Sequence, residues 1–175
     1  MRALLTFLTE DNVRLHKEYL KNQRLKLSIL EKSVPQIKSK TVSEISKMRI
    51  KPALKSEASF LISDILSHEC YFRSFCVESP RCKALCDYYS SEASFCYELF
   101  CYAKEWKQGF AYVMWNGSGR PVIKHSDKAP WAFLTEQPLL ALDLCEHAYF
   151  YDYGFDKDEY LRRAIAHLDL SRLCT

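Results

Sequence analysis

The sequence predicts an α+β protein, in which an N-terminal long helical hairpin precedes a lobe with a three-stranded antiparallel sheet flanked by helices. Apolar residues recur at helical spacing through the first half of the chain, and from Phe110 onward the pattern changes to short apolar runs around a glycine turn. Helices before and after a small antiparallel sheet define this fold class. With 175 residues, 48% of them hydrophobic, the chain can form one domain or two small lobes that share a core.

The helical hairpin is predicted from two long segments without internal breaks. Residues 4–33 keep helical spacing and contain no glycine or proline, and Pro35 ends the segment. The serine- and lysine-rich stretch 38–55 is expected to be a loop or a solvated helical turn. A second long helix is expected over about residues 57–76. We therefore predict a helical hairpin domain over residues 1–80.

An α/β C-terminal domain is predicted over residues 81–175. Its expected elements are helices over 82–88 and 91–105, strands over 110–115, 121–124 and 139–143, and a helical segment over 157–173. The first two strands are joined by the turn Asn116-Gly117-Ser118-Gly119, which is typical of a hairpin.

Charge is distributed unevenly along the chain. Residues 1–57 hold 13 Lys and Arg against 6 Asp and Glu, whereas residues 58–175 hold 12 against 16. A basic segment can contact a polyanion such as RNA, although scattered lysines are also typical of a solvated helix face. No uncharged apolar run is long enough to span a membrane. The first residues are expected to be neither a secretory signal nor a transit peptide.

The eight cysteines are expected to be free thiols, because no secretory signal is apparent. Six of them fall within residues 70–101, where Cys82 and Cys86 have helical spacing rather than the close pairing of a zinc knuckle. A cysteine-rich zinc or redox module that uses Cys82 and Cys86 remains an alternative for this protein.

The strongest chemical motif is the pair Asp143 and His147, which follows the apolar run Pro138-Leu139-Leu140-Ala141-Leu142. A carboxylate and an imidazole four residues apart at the end of a strand can bind one transition-metal ion such as iron or manganese. Two ligands do not complete a site, so others are expected elsewhere in the chain.

These residues and the order of the elements carry a resemblance to a known family. The predicted order is a helical hairpin, a helical linker, a three-stranded sheet and then the motif Asp-x-x-Glu-His-Ala-Tyr. That motif is preceded by Ser91-x-x-Ser94-Phe95 and by Phe110-x-Tyr112. The chain resembles the iron/manganese superoxide dismutase family along nearly its whole length. The segment PLLALDLCEHAYFYDYGFDKDEY, residues 138–160, is the specific part, with Cys145 where the family has Trp.

The resemblance implies one metal ion held by three His and one Asp, of which His68, Asp143 and His147 match family positions. In the family the first-helix ligand stands eight residues before a Tyr. If Tyr19 is that Tyr, the ligand place falls on Asp11, and His16 is expected to point about 100° away. The sequence therefore predicts a remnant site that lacks one imidazole.

Other family features also change in this chain. In the family a glutamine amide lies beside the metal-bound solvent, and it comes from one of two positions. Those positions hold Asp64 and Lys128 in this chain, and Phe110 and Tyr112 stand where the family has tryptophans. At the family's dimer interface a Glu of one subunit reaches the ligand His of the other, and Glu146 and His147 keep that pair.

Together these departures favour a non-catalytic protein without a bound cofactor. The chain resembles the superoxide-dismutase-like proteins of the small subunit of mitochondrial ribosomes, which implies a structural role in the mitochondrial matrix. The implied partners are a similar superoxide-dismutase-like subunit, as a homodimer or heterodimer, other mitochondrial ribosomal proteins, and rRNA through the basic residues 14–55. The alternative is a divergent iron or manganese superoxide dismutase, with Asp11 as an unusual ligand and Tyr19 as a catalytic residue.

Overall fold

The computed structural model of the chain describes residues 2–78, 82–127 and 137–174. The elements are α1 (Glu10–Ser33), α2 (Val42–Lys47), α3 (Pro52–Arg73), α4 (Glu92–Lys104), β1 (Phe110–Trp115), β2 (Pro121–Ser126), β3 (Leu140–Asp143), α5 (Glu146–Tyr153) and α6 (Lys157–Ala166). Short 3-10 helices lie at Leu4–Thr6, Pro35–Ile37, Lys83–Asp87 and Leu170–Leu173. The predicted α+β fold is confirmed, with a helical hairpin before a three-stranded antiparallel sheet.

The first long helix begins later than predicted. The expected helix over 4–33 starts at Glu10, because Thr9 is its N-cap and accepts a hydrogen bond from the backbone amide of Asn12. The amide and hydroxyl of Thr9 also donate to the carboxylate of Asp152, at 2.8 and 2.6 Å. This cap therefore attaches the start of α1 to α5.

The tip of the hairpin contains the short helix α2, which agrees with the helical-turn alternative for residues 38–55, although Val42 and Ile45 are buried rather than solvated. Thr41 and Glu44 form a capping box at the start of α2, in which each side chain bonds the backbone amide of the other residue. The following helix, α3, begins at Pro52 rather than near residue 57, since proline is well suited to the first turn of a helix. Apolar residues of the tip form a small core of their own, with Leu30, Val34, Ile37, Ile45, Ala58 and Leu61 buried.

The sheet places the end of β3 beside the start of β1. Its order is β2-β1-β3, both pairs are antiparallel, and Phe110 pairs with Asp143. Helix α3 lies against β3, where the Ser74 hydroxyl accepts a hydrogen bond from the Ala141 amide at 2.8 Å and donates one to the Cys70 carbonyl. These contacts hold β3, which ends at Asp143, against α3.

Gly109 allows a close approach in front of β1. Its φ is +87°, and a Cβ there would lie 2.4 Å from the carbonyl oxygen of Ser126, so another residue would be strained. The Gly109 carbonyl accepts a hydrogen bond from the Leu144 amide at 2.8 Å. The loop after β3 is thereby held against the start of β1.

The principal core joins the first residues of the chain to the second lobe. Phe7 and Leu8 are buried in one cluster with Leu99, Leu142 and Tyr160. The division into domains 1–80 and 81–175 stays a prediction. Among the residues that the structure describes, no helix is both long enough and apolar enough to cross a membrane.

Candidate metal centre

His68 lies on α3 with its ring oriented by its own helix. Its Nδ1 is 2.7 Å from the carbonyl oxygen of Asp64. Because a carbonyl can only accept, Nδ1 carries a proton in this contact, and the neutral ring then has its lone pair on Nε2. That Nε2 lies 3.5 Å from Oδ2 of Asp143, and the His68 side chain is fully buried. The helix therefore presents one imidazole nitrogen to the end of β3.

Asp143 and His147 meet in the turn between β3 and α5. Oδ1 of Asp143 accepts a hydrogen bond from the Cys145 amide at 2.9 Å, which leaves Oδ2 directed at the imidazoles. Nε2 of His147, on the first turn of α5, is 3.0 Å from Oδ2. Asp143 is fully buried, whereas the His147 side chain is 32% exposed. The cluster therefore reaches the protein surface on the His147 side.

His16 supplies the fourth member of the cluster, contrary to the prediction from sequence. Its side chain is fully buried, and its Nε2 lies 3.1 Å from Oδ2 of Asp143. The expectation that His16 points away from the site is wrong, because the buried face of α1 contains Val13, His16 and Leu20 at helical spacing.

Asp11, the residue predicted at the place of the missing ligand, lies on the solvent side of α1. Its side chain is 57% exposed and forms an ion pair with Arg14 at 2.9 Å. If His16 is the first-helix ligand, the family's tyrosine should stand eight residues later, at Arg24. Arg24 pairs with Glu69. The choice of Tyr19 as reference residue therefore shifted the predicted register of the first helix.

The four side chains offer a donor set that fits one metal ion. Ligand atoms of His16, His68, Asp143 and His147 all lie within 4.8 Å of one another. Nε2 of His68 and Nε2 of His147 are 3.2 Å apart, and Oδ2 of Asp143 has three imidazole nitrogens at 3.0 to 3.5 Å. Such separations suit atoms that bind one ion with bonds of about 2.0–2.2 Å.

The buried nitrogens of His16 provide an independent test of that fit. Both are shielded from solvent and form no hydrogen bond with the described residues, so the contact of Nε2 with Asp143 lacks hydrogen-bond geometry. Buried polar atoms without partners are uncommon in folded proteins. A metal ion shared with Asp143 would satisfy Nε2, and the residues present therefore fit iron or manganese.

The charge state of the cluster also suits a cation. Burial lowers the pKa of His16 and outweighs the opposing attraction of Asp143, so the ring is neutral near pH 7. Burial alone would raise the pKa of Asp143, but the neighbouring His147 and the contact with His16 hold it well below its usual value. The site thus combines a carboxylate anion with a neutral His16 imidazole. For His68, burial lowers the pKa, but the hydrogen bond with Asp64 and the charge of Asp143 outweigh burial and raise it, so a metal ion competes with a proton for that ring.

A second layer of polar side chains connects Tyr19 to the cluster. The Tyr19 ring stacks on His147, with ring centroids 4.4 Å apart. Its hydroxyl donates to Asp64 at 3.2 Å and accepts from Gln23 at 2.6 Å. Burial, followed by the charge of Asp64, raises the pKa of Tyr19. Asp64 itself lies 3.3 Å from Nδ1 of His68, so a carboxylate stands beside the ligand set.

Aromatic side chains and a thiol form the remaining wall of the centre. Phe110 packs edge-on against His68 at 5.1 Å between ring centroids, and the Tyr112 hydroxyl is 2.5 Å from the Ser67 hydroxyl. Cys145 accepts a hydrogen bond from the Gly109 amide at 3.2 Å, and burial raises the pKa of its thiol. This wall is thus aromatic, and its polar groups are the Ser67 and Tyr112 hydroxyls and the Cys145 thiol. Lys128, the other predicted replacement of the amide, lies outside the described residues.

Glu146 lies at the first position of α5 and is exposed beside His147. A surface pocket of about 310 Å³ there is lined by Leu15, Glu146, His147, Phe150 and Tyr151. Large apolar side chains are exposed around it, with Leu15 at 42%, Phe150 at 43% and Tyr151 at 61% of their full accessibility. The predicted interface residues therefore border the open side of the cluster.

The cysteines differ from the expectation of free thiols in one respect. Cys82 and Cys174, which are 92 residues apart in sequence, form a disulfide with their Cα atoms 5.8 Å apart. Cys82 is therefore paired with a residue other than Cys86, the partner that the zinc alternative requires. Among the described residues, the one group of three or more potential ligands that could hold a metal ion is the cluster around Asp143.

Comparison with known proteins agrees with this arrangement. Residues 82–173 match the family model of the iron/manganese superoxide dismutases, C-terminal domain. That match covers more than half of the 175 residues, and the chain therefore belongs to the iron/manganese superoxide dismutase family. A comparison with curated proteins found no match.

His16 is the site residue that the sequence reasoning missed. A signal was nevertheless present, because Val13, His16, Leu20 and Gln23 continue one heptad-like stripe along α1, and all four are buried. An imidazole on the buried stripe was a better candidate than an acidic residue next to Glu10 in the first turn of the helix. Asp and Glu are favoured in that turn by the helix dipole and need no further function there.

Proposed function

We propose that this protein binds one iron or manganese ion and converts superoxide to oxygen and hydrogen peroxide. The observation that carries the proposal is the convergence of His16, His68, Asp143 and His147 on one point. The sequence favoured a non-catalytic protein because Asp11 was expected to replace an imidazole and because the residues around the ligands also depart from the family. Since His16 fills that role, the chain has a complete donor set, and the catalytic alternative becomes the better supported one.

The bound ion would supply the one-electron chemistry, which must oxidise one superoxide to oxygen and reduce a second to hydrogen peroxide with uptake of two protons. Asp143 would supply a negative charge to the ion, and the hydrogen bond to the Asp64 carbonyl keeps a proton on Nδ1 of His68. A hydrogen-bonded series of side chains, formed by Gln23, Tyr19 and Asp64, lies beside the ligands. It can hold a proton at the Tyr19 hydroxyl. Gln23 contributes a buried amide that donates to the Tyr19 hydroxyl.

The charge of Asp64 is the feature expected to limit activity. A carboxylate a few ångströms from the cluster repels an anionic substrate, and at about 4 Å this repulsion amounts to roughly 1–4 kcal/mol depending on the local dielectric. Asp64→Gln should therefore raise the rate of superoxide consumption by the metal-loaded chain several-fold, measured by pulse radiolysis.

Asp11→Asn is the matched control, because it removes a carboxylate from an exposed position of α1. It should leave the rate unchanged. Absence of superoxide consumption in both the wild-type chain and Asp64→Gln, each loaded with iron and with manganese, would refute the catalytic proposal.

We also propose that a similar superoxide-dismutase-like subunit, identical or related, covers the open side of the centre. The support is the exposed apolar group of Leu15, Phe150 and Tyr151 beside His147, which Phe155 extends through its contact with Phe150, since contiguous apolar patches are typical of interfaces. The family resemblance implies that Glu146 reaches the ligand His of a neighbouring subunit, and Glu146 is exposed beside His147. Phe150→Asp should then convert a dimer to a monomer in light scattering, whereas Phe60→Asp, a comparably exposed change on α3, should not. A wild-type chain that is monomeric at every concentration would exclude a homodimer.

A structural role in the small subunit of the mitochondrial ribosome is the second candidate. The observation that favours it is the tip of the hairpin, where residues 38–55 carry six basic residues and a single acidic one. Lys38, Lys40, Lys47, Arg49 and Lys51 are all exposed there, and such clusters suit a phosphate backbone. Under this candidate the chain acts in the mitochondrial matrix, binds rRNA with a strong salt dependence and does not dismutate superoxide. An absence of RNA binding at low salt would refute this candidate.

A further inference from the structure

A second cavity, away from the metal centre, combines apolar walls with arginines. Its volume is about 520 Å³, within the range of small-molecule sites. It lies between the loop before α2, one face of α3 and the start of β3. Apolar walls come from Val42, Ile62, Leu66, Pro138 and Leu139, and the cationic lining residues are Lys40, Arg73 and Arg172. No acidic residue lines the cavity within the described part of the chain.

Arg172 is held in place by the backbone of two elements. Its Nε donates to the Leu139 carbonyl at 3.0 Å, and its Nη1 donates to the Arg73 carbonyl at 3.2 Å. A guanidinium has five N–H donors, so these bonds leave others for a ligand. The group is partly buried, which strengthens any charge-assisted hydrogen bond that it forms.

Arg73 adds a second guanidinium at the end of α3. Its Nε donates to the Glu69 carbonyl within the same helix at 3.1 Å, so both terminal nitrogens remain available. Within residues 2–78, 82–127 and 137–174, neither Arg73 nor Arg172 has a carboxylate within 4.0 Å. Lys40, in contrast, is partly neutralised by Glu44 at 3.1 Å. Among the described residues, two guanidinium groups without a carboxylate partner therefore border a cavity with apolar walls.

We propose that this cavity binds an amphipathic anion, in which a carboxylate or phosphate headgroup is joined to a hydrocarbon chain. The headgroup lies against Arg73 and Arg172, whose planar donors match a carboxylate or phosphate in a bidentate manner. The hydrocarbon chain lies along Ile62 and Leu66 of α3. This site is independent of the metal centre and does not rest on the proposed dismutation.

Calorimetric titration of the full chain with decanoate tests the proposal. We expect saturable binding of one decanoate per chain, with acetate and decan-1-ol binding at least about tenfold more weakly, since the first lacks the apolar part and the second the charge. Arg73→Gln and Arg172→Gln should each weaken decanoate binding by about tenfold or more, because a hydrogen bond to a charged group is lost.

Two variants keep the test interpretable. Arg73→Gln leaves an exposed side chain on a helix and preserves the fold even if Arg172→Gln, which removes two backbone contacts, does not. Arg162→Gln is the matched control, because Arg162 is an exposed arginine on α6 that pairs with Glu159, and its decanoate affinity should equal that of the wild type. The proposal is overturned if decanoate does not saturate, if Arg73→Gln binds as tightly as Arg162→Gln, if decan-1-ol binds as well as decanoate, or if only anionic phospholipid vesicles bind.

Discussion

His16→Ala is expected to remove the metal ion from the protein while leaving the chain folded. Nε2 of His16 is one of four ligand atoms within 4.8 Å of one another, and Asp143 lies 3.1 Å from it. Loss of a residue that merely supports a ligand reduces metal affinity by about 10- to 100-fold, so loss of a direct ligand should reduce it at least that much. Elemental analysis of chains purified from iron- or manganese-supplemented cells measures the effect.

Asp11→Ala provides the matched comparison on the same helix. The Asp11 side chain is exposed and bonds only Arg14 among the described residues, so its removal should leave the metal content at the wild-type level. The two interpretations of the first helix make opposite predictions here. Metal retained in His16→Ala and lost in Asp11→Ala would show that the ligand is Asp11 after all.

Tyr160→Ala is expected to destabilise the metal-free protein by about 3–5 kcal/mol, the usual range for deletion of a large buried aromatic side chain. Tyr160 is fully buried on α6, stacks on Tyr149 at 5.0 Å and donates its hydroxyl hydrogen to the Asp143 carbonyl at 2.9 Å. It thus joins the closing helix to the residue that carries the site's negative charge. Urea unfolding followed by circular dichroism measures the change.

Tyr160→Phe separates packing from hydrogen bonding. This variant keeps the ring and loses the hydroxyl's contacts with the Asp143 carbonyl and, at 3.4 Å, with the Tyr71 hydroxyl, so we expect a loss of about 1 kcal/mol. Tyr151→Ala is the surface control, since 61% of Tyr151 is exposed, and should change stability by less than about 0.5 kcal/mol. If Tyr160→Ala were no more destabilising than Tyr151→Ala, the described packing of α6 would be wrong.

Local patterns predicted the fold well, because helical spacing and short apolar runs are properties of neighbouring residues. The strand over 110–115 matches its prediction in full, and the end of β3 at Asp143 was also expected. The proximity of Asp143 and His147 depends on one turn of chain and was therefore accessible from their spacing. Thr41 and Glu44 have the spacing of a capping box, which favours the helical turn over the loop for residues 38–55.

Long-range features were less accessible to sequence reasoning. The approach of His16 to Asp143 spans most of the chain and depends on which face of α1 packs against α3 and α5. An alignment that is displaced by a few positions assigns the ligand to a different face of the helix. Aligning Tyr19 with the family's tyrosine had this effect, because it placed the ligand at Asp11. The pairing of Cys82 with Cys174 likewise joins positions 92 residues apart, for which local spacing carries no information.

The metal stoichiometry of the wild-type chain tests the central claim most directly. The cluster of His16, His68, Asp143 and His147 should bind one iron or manganese ion per chain, measured by elemental analysis after expression with each metal and removal of loosely bound ions. Folded protein with no ion above background in either preparation would contradict it.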